Sequence, residues 1–510
     1  MVRITGLMST AASRAWLGVA LVGLVTVVLV VVLALIPRMS AGQDVIEATG
    51  PAFTDERVAG TRAGVELVSR YVDFADPLLT ARGGADKEVR SLVRLIRREL
   101  GLSSGQARKI LRREAPYAEA LMRALPLEGV AEEIPALTSY LATTLNVSED
   151  QLAATLEQSF PRLSQVLTTL PIVTGAWYDV PGIEGLTRLS RARPVRTVPG
   201  LRTYVRDDIV PLTAEHRDEF RNLARTGGIG YIGWLLALVG LVLLAYGLAQ
   251  SWRAAREMAP GRLSWNVVVA IGVLVIALVA AGQYFSRLSG GQKLVSDLDP
   301  VFAQDRANGA AIGFGTIHEA VVLGDPIMTS RGGAYLETPQ LYRLVAQRTG
   351  RRPGDVRRAL MRRAPRTIAL LDALPVTRVA RDVPRLLAYL AKALRMKEEA
   401  VVELLRRRAP GLTQALLAAP TVTAGWNEVP GTGELTRFDG VTPVRTLPAV
   451  DDYLRQDLLD VFVKERAHFE TFAGRSPPLD AIAPAMLILG VVVMLYGGAL
   501  MRFVSRRYRA

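Results

Sequence analysis

Residues 16–36 read WLGVALVGLVTVVLVVVLALI, an uncharged run dominated by Val and Leu. A helix needs about 20 apolar residues to cross the hydrocarbon core of a bilayer, and this run is that long. The pattern returns three times along the chain, because residues 226–252, 263–286 and 481–501 also carry no charge. The first run is longer than the roughly 7–15-residue apolar region of a signal peptide. Pro37-Arg38-Met39 follows it in place of a small-residue cleavage site, so it reads as an uncleaved anchor.

The flanks give the orientation. Arg3 and Arg14 precede the first run, Arg253, Arg256 and Arg262 lie between the second and third with Glu257 as the one acid, and Arg502, Arg506, Arg507 and Arg509 follow the fourth. Arginine-rich short segments face the cytoplasm. The expected fold class is therefore an all-α integral membrane protein. Its expected order begins with a cytoplasmic N-terminus (1–14), a first span (15–37), an extracytoplasmic helical lobe (38–225) and a second span (226–250). A cytoplasmic loop (251–263), a third span (264–286), a second lobe (287–480), a fourth span (481–501) and a cytoplasmic tail (502–510) complete it.

The chain has 510 residues, no cysteine, mean hydropathy +0.23 and a formal charge of +14. Its apolar content excludes a disordered chain. The missing cysteines exclude a disulfide scaffold, a thiol enzyme and thiolate-held metals. The charge invites a nucleic-acid reading, but eight of the fourteen positive charges belong to the short flanks, none is net in 38–225, and six belong to 287–480. Nucleic acid is therefore not an expected partner. The four apolar runs contain no Asp, Glu, Lys, Arg or His, which argues against a self-sufficient pump, carrier or channel. Small-residue spacings such as Gly233-x3-Ala237 suit close helix packing.

The chain also matches itself at an offset of 249, where Trp16 falls on Trp265 and Asp208 on Asp457. Residues 161–208 and 410–457 share 22 identities in 48 positions, and one extra residue then shifts the last span so that Tyr246-Gly247 meets Tyr496-Gly497. This reads as two tandem span–lobe–span units in the same direction, with a pseudo-two-fold axis along the membrane normal. Within each lobe a second period of 45 pairs Pro116 with Pro161 and Pro126 with Pro171. Leu92, Leu95, Ile96 and Leu100 mark one helical face, Ser148 with Gln151 reads as a capping box, and Pro116 and Pro161 are expected to open helices. Each lobe is thus expected to hold two modules of short helices, followed by a Pro/Gly-rich loop with little strand.

That loop is the most distinctive local sequence. It carries Trp177, Pro181, Gly182, Arg188 and Arg196 in the first half, and Trp426, Pro430, Gly431, Arg437 and Arg445 in the second. Val-Pro-Gly suits a type II turn. The Trp and Arg residues could form a ligand platform with an anion clamp, but the expectation is structural, with Trp in the core and Arg paired to Asp179, Glu428, Asp208 or Asp457. His216, His318 and His468 do not match one another at the 249 offset and have no metal-ligand spacing, and no hydrolase, P-loop or dinucleotide motif occurs. No catalytic residue, metal or cofactor is expected. Residues 100–108 superficially resemble a helix-turn-helix, but the lobe that holds them has no net charge.

The two lobes differ in one respect. Residues 341–408 hold 18 basic and 6 acidic groups, whereas the matching 92–159 hold 8 and 9. Arg357, Arg358, Arg362, Arg363, Arg406, Arg407 and Arg408 could form a face for an anionic partner. Six lysines against 56 arginines suggest a GC-rich bacterial source. The functional expectation is a non-catalytic envelope protein of the plasma membrane, an assembly or accessory subunit in contact with membrane lipids, with an envelope protein partner and a tendency to homo-oligomerise. The alternative is a transport-associated or lipid-handling protein with an apolar cavity between lobes and spans.

Overall fold

The computed structural model describes residues 2–190, 193–224, 228–256, 262–474 and 476–507. Part of the expected loop 251–263, including Glu257, and the end of the tail, including Arg509, lie outside the described residues. The described chain is almost entirely helical, with two isolated antiparallel bridges, Thr187–Pro194 and Thr436–Pro443. Its first half runs α1 (Val2–Val32), α2 (Leu35–Thr49), α3 (Asp55–Leu79), α4 (Ala85–Glu99), α5 (Ser104–Glu114) and α6 (Pro116–Ala124). It continues through α7 (Leu127–Leu145), α8 (Glu149–Ser159), α9 (Pro161–Ala176), α10 (Val198–Tyr204), α11 (Val210–Glu215), α12 (Arg217–Ala224) and α13 (Tyr231–Ala255).

The second half follows the same order. It runs α14 (Arg262–Ala281), α15 (Tyr284–Phe302), α16 (Gln304–Met328), α17 (Ala334–Thr349), α18 (Pro353–Arg363) and α19 (Pro365–Ala373). Then come α20 (Val376–Leu394), α21 (Glu398–Arg408), α22 (Pro410–Asn427), α23 (Leu447–Asp452), α24 (Asp460–Lys464), α25 (Arg466–Ala473) and α26 (Ile482–Arg507). The stretches Ala12–Val32, Tyr231–Ala255, Ser264–Ala281 and Leu479–Arg502 are long and apolar enough to cross a membrane, which marks a multi-pass membrane protein.

The chain divides into two units. The first comprises Met1–Thr54, Thr213–Ala303 and Val461–Ala510, and so includes the four apolar helices. Here α1 packs along α13, and α14 along α26. Glycine makes the approach possible: a Cβ on Gly240 would lie 3.0 Å from the Gly23 carbonyl, and one on Gly247 would lie 2.5 Å from the Ala20 nitrogen. The working spacing on α13 is a glycine every seven residues, with Gly240 and Gly247 against α1 and Gly233 against Leu35 and Ile36 at the start of α2. The two hairpins meet where Trp16 stacks on Trp265, centroids 3.6 Å apart and planes 9° from parallel. Ala34 and Gln283, 249 apart, adopt left-handed φ of 47° and 52° and turn the chain from each span into the next helix. Beyond these turns, Phe53 stacks on Phe220 and Phe302 on Phe469, again at the same offset.

The second unit comprises Asp55–Leu212 and Gln304–Asp460. These segments share one hydrophobic core instead of building two separate ones. The long helix of each half packs on the helix of the other that leads to its core tryptophan, α3 on α22 and α16 on α9, and α6 lies on α19. Glycine pairs four apart notch the long helices. A Cβ on Gly60 would stand 3.1 Å from Leu435 and one on Gly64 would stand 2.6 Å from Val450, while Gly309 and Gly313 receive Leu186 and Leu201 at 3.0 and 2.5 Å.

Helices α6, α9, α19 and α22 begin with Pro after Ala115, Phe160, Ala364 and Ala409, none of which caps through its side chain. Carboxylates from the opposite half close them instead. Glu133 accepts the N–H groups of Arg366 and Thr367 and Asp382 those of Tyr117 and Ala118, while Glu88 serves Gly411 and Leu412 and Glu337 serves Arg162 and Leu163. Each carboxylate meets orphan donors at the positive end of a helix. The expected box at Ser148 and Gln151 forms, and Ser103 with Gln106 forms another.

Candidate functional site

The Trp-bearing loops are built into the core of the second unit. Trp177 and Trp426 are fully buried, and their indole N–H groups donate to Asp76 and Asp325 at 2.8 and 3.4 Å. The adjacent turns have Gly182 and Gly431 at φ +86° and +85°, with Pro181 and Pro430 exposed. Each loop closes on itself through Val180 N–H to the Arg196 carbonyl and Val429 N–H to the Arg445 carbonyl.

Arg188 and Arg437 are committed in bidentate pairs. Arg188 Nε and Nη2 donate to Asp208 at 2.6 and 2.8 Å, and Arg437 to Asp457 at 2.6 and 2.7 Å. Burial pushes the Asp208 carboxyl up, but the bonds from Arg188 and the Leu189 N–H outweigh it and hold it below its ordinary range. Both aspartates sit in short π-helical segments, Val205–Ile209 and Tyr453–Leu459, where the widened turn sets them toward the loop. Arg196 and Arg445 are exposed. Neither half therefore assembles a tryptophan platform with an anion clamp.

Where the long helices pass α10 and α23, the halves invert their charge. In the first half the cation is on the short helix and the anion on the long one, with Arg202 paired to Asp73. In the second half Asp451 stands in place of Arg202, and His318 on α16 stands in place of Ser69. His318 Nδ1 lies 2.6 Å from Asp451, which is 1% exposed. That bond raises the His318 imidazole above its ordinary value, and burial raises the Asp451 carboxyl. Asp452 completes a group of three possible metal ligands with atoms within 4.8 Å of one another. Its carboxylate also faces Arg455 at 3.9 Å. Sequence spacing conceals this cluster, because His318 and Asp451 are 133 positions apart. With Nδ1 bonded to Asp451, the arrangement holds a proton.

The arginines expected to meet a partner are placed as follows. Arg357 pairs with Asp372, Arg358 with Asp355, and Arg406 and Arg407 both approach Glu403 at 3.9 Å. The Arg363 guanidinium lies 5.7 Å from the Tyr140 ring centroid. Arg362 and Arg408 are exposed, as are Arg343, Arg348, Arg351 and Arg352 nearby in the chain. The two clusters have different neighbours: α18 packs on α17, α19 and α7, whereas α21 packs on α20, α22 and α4.

Comparison with family models, curated proteins and solved structures finds no match, so residues and geometry alone carry the functional reading.

Proposed function

We propose that the protein is a non-catalytic subunit of a bacterial cell envelope, a plasma-membrane protein that engages another envelope component through its helical unit. One observation carries this reading. Many buried contacts recur from half to half, whereas residues 341–408 hold 18 basic and 6 acidic groups against 8 and 9 in 92–159, and the exposed Arg363, Arg406, Arg407 and Arg408 stand where the first half has Glu114, Glu157, Gln158 and Ser159. A charge difference that the shared core does not require fits an acidic partner. In the same reading the arginine-rich flanks keep both termini and the loop 251–263 in the cytoplasm, with 38–225 and 287–480 outside. The halves descend from one duplicated span–lobe–span unit that once paired as a homodimer.

Affinity purification from native membranes tests this. An acidic envelope protein should co-purify with the wild type and be lost when Arg363, Arg406, Arg407 and Arg408 are changed to Glu, and equal recovery would overturn the reading. Protease digestion of intact cells should cut 38–225 or 287–480, and cleavage only after lysis would reverse the topology. The lipid-handling alternative draws support from one feature, an apolar groove of about 420 Å³ among the membrane helices.

A further inference from the structure

That groove lies within the first unit. Leu21, Val25, Leu29 and Leu33 of the first span line one side, Ile482, Met486 and Leu489 of α26 line the other, and Leu35 and Pro477 stand at one end. Its one hydroxyl, on Thr26, already donates to the Val22 carbonyl at 2.8 Å. At the Leu35–Pro477 end stands Arg38, six residues past the last residue of α1. Its Nη1 donates to the Pro477 carbonyl, and its Nε donates to the Phe472 carbonyl at 2.8 Å.

Arg38 is 4% exposed, yet no carboxylate pairs with it among the described residues, and burial lowers its pKa. A guanidinium has five N–H donors, and the two carbonyls leave Nη2 without a protein partner. A cation held this way is costly unless an anion meets it. The second half handles the equivalent problem differently. Tyr284 replaces Leu35, Gly282 replaces Leu33, and the Tyr284 ring lies over Gly282, where an added Cβ would come within 2.8 Å of it. Arg287, the counterpart of Arg38, has its guanidinium 5.8 Å from that ring centroid. One half fills the position with its own aromatic ring, and the other leaves it open.

We infer that the groove binds an acyl chain of an anionic phospholipid, whose phosphate pairs with Arg38. A hydrocarbon-lined space of this size suits a chain, and a guanidinium at its end suits a phosphate. The lipid is a resident part of the membrane unit, whether the protein recruits a partner or carries lipid as cargo.

The test is purification in mild detergent, followed by native mass spectrometry and phosphorus assay of the retained lipid. The protein is then returned to nanodiscs of phosphatidylcholine alone or doped with phosphatidylglycerol. The wild type should keep a single anionic lipid and prefer phosphatidylglycerol. Arg38→Gln should weaken that preference about tenfold, the worth of one charge-assisted contact. The double variant Leu33→Gly/Leu35→Tyr, which copies the second half, should empty the groove while leaving Arg38 and the fold intact, and it decides the matter if Arg38→Gln does not fold. Arg287→Gln should leave the retained lipid unchanged. Retention that neither Arg38→Gln nor Leu33→Gly/Leu35→Tyr alters would overturn the assignment, as would a wild type that keeps no lipid or a partner helix cross-linked into the groove.

Discussion

Glu133 caps a helix that begins 232 residues later: its carboxylate accepts the N–H of Thr367 at 2.9 Å and the Thr367 hydroxyl at 3.0 Å. Asp382 does the same in reverse for Ala118 at 3.1 Å, so each half closes a helix of the other. Removing a cap costs about 1 kcal/mol, and leaving a buried donor unpaired adds to it. Glu133→Ala and Asp382→Ala should each destabilise the second unit by about 1–3 kcal/mol. Asp382→Ala should cost more, since that side chain is the more deeply buried. Thermal unfolding followed by tryptophan fluorescence reads both, and unchanged midpoints would show that the caps contribute nothing.

The Arg188–Asp208 and Arg437–Asp457 pairs are structural, so breaking one should cost stability. Their arginines keep about a fifth of their side-chain surface. A loss of about 2–3 kcal/mol is expected for Asp208→Asn, below the figure for a fully buried pair. Because the folded Asp208 carboxyl titrates below its unfolded value, its stabilisation is present above the unfolded pKa and fades as pH falls through the folded one. Acid unfolding of Asp208→Asn should lack that component.

His318 gives the opposite slope. Its folded pKa is raised by Asp451, so its contribution is complete below about pH 6.5 and is lost as pH rises through the folded value. His318→Gln should flatten the dependence of the unfolding midpoint on pH from about 6 to 9. Identical profiles for the two proteins would show that the pair is not charged.

Glycine substitutions separate close packing from mere smallness. A Cβ on Gly247 would meet the Ala20 backbone at 2.5 Å, whereas one on Gly498 meets nothing within 4 Å. Gly247→Leu should disrupt the α1–α13 hairpin and shift the detergent-solubilised protein to aggregates in size-exclusion chromatography, and Gly498→Ala should elute as the wild type does.

Much of the secondary structure is legible in the sequence because its causes are local. Uncharged runs mark the four long apolar helices, Pro116 and Pro161 open α6 and α9, and Ser148 with Gln151 caps α8. The tertiary plan is not legible in the same way. Periodicity shows that Leu92 and Ile96 share a buried face, but not which half supplies the surface they meet. Glu88, Glu133, Glu337 and Asp382 read as ordinary solvated acids until the uncapped prolines of the other half lie opposite them. The His318–Asp451 pair escapes spacing rules altogether, because α16 and α23 meet only in the folded unit. Gly60 and Gly64 carried a spacing that could have been read, since glycines four apart invite a close neighbour.

Tyr71 donates its hydroxyl to the carbonyl of Ala320, and 71 and 320 are matching positions 249 apart. Two identical subunits would have to set like against like at such a point, ring against ring or methyl against methyl. Trp16 on Trp265 sets like against like in this way. Joined in one polypeptide, the two sides of the axis can differ, so a bulky donor on one side reaches a small neighbour on the other. Within one polypeptide the central seam is under no such restriction, and Arg202 and Asp451, 249 apart and opposite in charge, show its two sides differing.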